Sequence, residues 1–100
     1  MKIYTKEFVI IENFVCNNTL VSINPPILLP ISFSDEENLF IARYKDFKLF
    51  SSGSTKEELV FNVERDIIRI WQDNVLDSSS KEINTIKEAF MSIATCNSIW

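Results

Sequence analysis

The chain has 100 residues, enough for one hydrophobic core and a single domain, 1–100. It is 46% hydrophobic and 24% charged, with one Gly and three Pro, which excludes a disordered or collagen-like chain. Ten Lys and Arg against 14 Asp and Glu leave a net charge of −4, the wrong sign for a sequence-independent nucleic-acid binder, and the absence of His removes every Ser-His-Asp, Cys-His and His-zinc arrangement.

Residues 2–24 read as a β-hairpin. Phe8–Ile11 and Phe14–Cys16 are β-branched and aromatic, Asn17-Asn18 suits a tight turn, and Thr19–Ile23 returns as the second strand. Asn24-Pro25-Pro26 is expected to stop it, because Pro cannot donate to a ladder. The run Phe8–Ile11 is too short for a signal-peptide core, and no stretch approaches the ~20 apolar residues of a membrane span. A cytoplasmic protein with no membrane contact is expected.

Ile27–Ser34 begins apolar and then alternates, with Ile31 and Phe33 on one face. Pro30 suggests an edge or a bulge. Asp35-Glu36-Glu37-Asn38 reads as a solvated turn; it lacks the ligand spacing of a calcium loop. Leu39–Tyr44 is a further strand, Lys45-Asp46 interrupts it, and Phe47–Ser51 alternates again. Arg43, Lys45 and Lys48 interleave with Tyr44, Phe47 and Phe50, but those aromatics are explained by sheet core. Nucleic acid is not an expected partner.

Gly53 is the sole glycine and marks a backbone conformation that other residues resist. Ser54/Glu57 and Thr55/Glu58 then form two overlapping capping boxes, which place a helix start here. The helix is expected from about Lys56 to Val75. Leu59, Val60, Val63, Ile67, Ile70 and Trp71 form its core stripe. Phe61, Ile68 and Val75, spaced by seven, form a second stripe beside it, and Arg65 and Arg69 lie on the adjoining charged face with Asp66 and Asp73. This second stripe needs a partner. It packs against Ile86, Phe90 and Ile93 of a second helix, expected over 80–95 and capped by Ser79/Glu82, or it binds another protein with Arg65 and Arg69 as rim charges. Trp100 is read as docked or part of an interface.

No assembled active site is expected. Asp66 and Asp73 share a helix face, yet Arg69→Asp73 reads as an ordinary ion pair. Cys16 and Cys96 form no CxxC pair, and Cys96 has no neighbour to activate it; both read as buried free thiols. The hydroxyls Ser51, Ser52, Ser54 and Thr55 fit neither a nucleophile elbow nor a phosphate loop, and read as caps. No metal or cofactor is implied.

Leu39–Tyr44, Phe47–Ser52 and the run Gly53-Ser54-Thr55-Lys56-Glu57-Glu58-Leu59, with the long helix to Trp71, resemble the HicB-like antitoxin family over residues 27–75. Gly53, Thr55, Glu57 and Glu58 match its Gly-x-Thr-x-Glu-Glu motif in place. Leu59 stands where the family usually has Ala, and the Gly-Cys signature after the corner is absent. The resemblance implies a β-β-β-α core like a trimmed RNase H fold, without its catalytic carboxylates. It also implies a protein that occludes a small toxin, commonly an mRNA-cleaving endoribonuclease.

The resulting expectation is an α+β fold: an antiparallel sheet of four or five strands packed by two helices. The expected function is non-catalytic binding of a small basic toxin. The alternative is an inhibitor from a phage or mobile element acting on a host defence complex, or a structural subunit. Homo-oligomers remain compatible with both.

Overall fold

The computed structural model describes residues 2–4, 8–76 and 85–98. A short strand β1 (Lys2–Tyr4) pairs antiparallel with β2 (Phe8–Cys16). Asn17 and Asn18 follow with φ of 51° and 59°, the two positive values that a two-residue hairpin turn with matching twist requires. The turn brings Thr19 opposite Cys16 and starts β3 (Thr19–Ser34).

β3 does not stop at its prolines. Between the pairs Asn13–Ser22 and Ile11–Ile27, Ile23–Pro26 faces Glu12 alone on β2. The two exposed prolines therefore lie in a bulge, where no ladder donor is needed. Pro30 is the last β3 residue to pair with β2, and Ile31 the first to pair with the next strand, β4 (Leu39–Tyr44). The acidic turn between them closes through the Asn38 N–H on the Ser34 carbonyl at 2.7 Å, with Asn38 at φ 57°. A 3₁₀ turn at Lys45–Phe47 ends at Lys48, φ 52°, and leads into β5 (Leu49–Gly53). The path β1-β2-β3-β4-β5 is antiparallel throughout.

Helix α1 (Lys56–Trp71) crosses one face of this sheet. It buries Leu59, Val60, Val63, Ile67 and Trp71 against Val9, Ile11, Leu29, Ala42 and Leu49. The last residues expected in it, Gln72–Leu76, form a wider π-helical turn. The second helix ends at Met91, before the expected residue 95. α2 spans Thr85–Met91; Ser79 and residues 80–84 of the expected helix lie outside the described residues, as does Trp100.

Ala94–Ser98 forms a strand, β6, and not the end of a helix. It pairs with Thr19–Ile23 of β3, Thr95 falling opposite Ser22. The reason is tertiary: β4 pairs only with Ile31–Ser34 at the end of β3, and β6 satisfies backbone groups of Thr19–Ile23 at its start. Phe90 anchors α2. It is fully buried, stacks on Phe47 at 4.1 Å between ring centroids, and meets Trp71 edge-on at 5.2 Å. The protein is thus α+β, with the expected antiparallel sheet and two helices. Its shortest dimension is 21 Å, about the thickness of two layers, and among the described residues no helix covers the other face of the sheet.

Candidate functional site

The motif at the β5–α1 junction is built as a cap. Thr55 is extended, at φ −129° and ψ 164°, and its Oγ1 accepts the Glu58 N–H at 3.1 Å. Thr55/Glu58 is therefore the register used, and not Ser54/Glu57. Glu58 reaches back one residue further than in a simple capping box: its carboxylate accepts from the Ser54 hydroxyl at 3.0 Å and from the Ser54 N–H at 3.3 Å. Glu57 and Glu58 sit in the first turn, at the positive end of the helix dipole.

Gly53 is required here, but not for the expected reason. Its φ is not positive. The backbone of α1 lies directly on it: a Cβ at this position would stand 2.5 Å from the Leu59 nitrogen and 3.0 Å from the Leu59 Cα. The sole glycine lets the helix start touch the end of β5. Among the described residues, those that do hold left-handed conformations are Asn17, Asn18, Asn38 and Lys48.

Asp66 is not on the surface. It is buried, and its Oδ2 accepts the Ser51 hydroxyl of β5 at 2.6 Å. Ser51 is accordingly a buried partner and not a cap. Around the α1 axis Asp66 projects close to Leu59 and Ile70, at the margin of the buried arc, so the sheet meets it before solvent does. Its Oδ1 is approached by Arg65 Nε at 3.6 Å and Arg69 Nη2 at 3.7 Å. Arg69 thus pairs with Asp66 and not with Asp73, which is exposed in the turn after α1. Both arginine side chains are about two-thirds exposed, so these pairs contribute little beyond orienting the carboxylate.

The second stripe of α1 divides. Ile68 and Val75 are half-buried and pack against the core, as do Ile86 and Ile93. Phe61 is not covered: it is 61% exposed. Its neighbours one turn away along the helix are Glu57, Glu58, Glu64 and Arg65. The structure therefore brings together an exposed aromatic, three carboxylates and one arginine, while Ile68 and Val75 belong mainly to the packing and Arg69 lies a turn further on. Cys16 is a buried free thiol as expected, but Cys96 is exposed, because it lies on β6.

Two features escape a reading of periodicity. One is the inward Asp66, whose signal is its place beside Leu59 around the helix axis. The other is the set of large apolar residues on the far side of the sheet, including Leu28 and Phe50, which are 49% and 54% exposed. Their signal is the unbroken apolar run Ile27–Pro30, where a half-solvated strand would alternate. Among the described residues no group of three or more Cys, Asp and Glu could hold a metal ion, and no helix is long and apolar enough to cross a membrane. Comparison with family models, with curated proteins and with solved structures gave no match.

Proposed function

We propose that this chain is a non-catalytic binding protein that neutralises a small basic toxin, of the endoribonuclease class that HicB-like antitoxins hold, by occluding it. The observation that carries this reading is Phe61: a large aromatic 61% exposed on a regular helix, with Glu57, Glu58 and Glu64 around it. An aromatic anchor with a charged rim is the usual composition of a protein-docking centre. The rim is mainly acidic and the chain carries −4, so a basic partner gains association rate from the field and affinity from the ring. Arg65 supplies one opposite charge that fixes register.

The test is purification of the tagged chain from its native host, followed by co-expression with the small basic protein that it should bring down. Wild type should co-purify with it in equal amounts and suppress its RNA cleavage. Phe61→Asp should keep its circular dichroism spectrum and lose both properties. A wild-type chain that brings down no small basic protein, or fails to inhibit the one it brings down, refutes the toxin reading, and a folded Phe61→Asp that still does both refutes the placement of the surface.

A further inference from the structure

We infer that the sheet face turned away from α1 is the contact face of a homodimer, covered by a second copy of this chain. Side-chain alternation sends Val9, Ile11, Leu29, Ala42 and Leu49 toward the helix. The residues between them point the other way, and they too are apolar: Leu28, Pro30 and Phe50 are exposed, Ile10 is half-buried, and Ile41 is already buried. A one-sided antiparallel sheet ordinarily turns polar residues to water. Here Ile10 stands opposite Leu28, and Arg43 opposite Phe50, so the apolar surface runs across β2, β3, β4 and β5.

Charge identifies the occupant. Over Leu28–Ser34, β4 and β5, the residues directed to this face include a single charge, Arg43, and no carboxylate; on β2 the exposed Glu12 follows Ile10 on the same side, at the bulge. The Arg43 guanidinium lies over the Phe50 ring at 5.1 Å. A strongly basic or acidic partner finds one isolated charge of each sign here and no patch to match its own. Two copies of this chain repel through most of their surface, because each carries −4, but meet here across a nearly neutral surface. Depletion of charge at the centre is also what separates an interface core from ordinary surface.

Size agrees. The molecule extends 41 × 31 Å in its two longer dimensions. A face of that order accommodates the ~800 Å² that each partner loses in a standard interface. Pairing about a two-fold axis gives a helix–sheet–sheet–helix sandwich, with the sheets ~10 Å apart and their strands inclined by ~30°. α1 then lies on the outside of each copy, and both Phe61 surfaces stay open. The dimer does not depend on the toxin reading, and either can fail alone.

Sedimentation equilibrium of the full chain over a micromolar to sub-millimolar range tests this. The expected mass is twice 11.6 kDa. Leu28→Lys combined with Phe50→Lys should give a folded monomer, with self-association weakened at least ~100-fold, because like charges enter an apolar contact. Ser32→Arg, at an exposed position of the same face, should do the same without removing an apolar side chain. Phe61→Asp should remain dimeric. A monomeric wild type overturns the inference, whatever other protein this face captures. So does a dimer that survives both Ser32→Arg and the double substitution.

Discussion

Gly53→Ala separates two explanations of the one glycine by the sign of its effect. Its φ is not positive, so alanine can adopt the backbone conformation. If conformational freedom were all that mattered, the substitution would stabilise the protein by about 0.4–1 kcal/mol through the unfolded chain. The structure predicts the reverse. The added methyl would stand 2.5 Å from the Leu59 nitrogen, 3.0 Å from the Glu58 carbonyl carbon and 3.0 Å from the Leu59 Cα. Ordinary contact begins near ~3.5 Å, so the start of α1 must retreat by about 1 Å. These are backbone atoms, and no rotamer change relieves them. Overpacking of this kind costs about 1–3 kcal/mol, and the rigid neighbour places it toward the upper end. Retreat also strains the Thr55–Glu58 cap and lifts Leu59 from the core. The net expectation is a loss of about 2 kcal/mol, or about 10 °C in melting temperature for a domain of this size. Thermal and urea unfolding followed by circular dichroism measure it, and an unchanged urea slope would show that only stability moved. A Gly53→Ala protein that melts at or above the wild-type temperature would refute the close-approach argument.

Other substitutions test the remaining parts of the structure. Ser51→Ala removes the hydroxyl that donates to the buried Asp66 carboxylate and should cost about 1.5–3 kcal/mol in urea unfolding, whereas Arg65→Ala should cost under about 1 kcal/mol. Phe90→Ala opens a cavity between Phe47 and Trp71 and should cost about 3–5 kcal/mol, with amide exchange in α2 and β6 accelerating most. Asn18→Gly, at φ 59° in the β2–β3 turn, should raise stability by a few tenths to about 1 kcal/mol, since glycine takes that conformation without a Cβ penalty; a loss of stability would count against the turn geometry.

The parts legible in the sequence are those decided within a few residues. The Asn17-Asn18 turn, the acidic turn before β4 and the cap at Thr55 depend on local dihedrals and on side chains reaching neighbouring backbone. The core stripe of α1 follows from helical period alone, and Leu59, Val63 and Ile67 are all buried by it. Phe61, Ile68 and Val75 are legible as a stripe, but period cannot say which member a neighbour covers. Tertiary structure decided that: Ile68 and Val75 meet the packing and Phe61 does not. It also decided that β3 passes through its prolines, because the bulge opposite Glu12 relieves them of a ladder bond. It made Ala94–Ser98 a strand, because Thr19–Ile23 of β3 offered an edge to pair with, and it turned Asp66 inward, because Ser51 supplies a donor there. Each of these outcomes depends on a partner distant along the chain, and local propensity carries no information about which partner will be present.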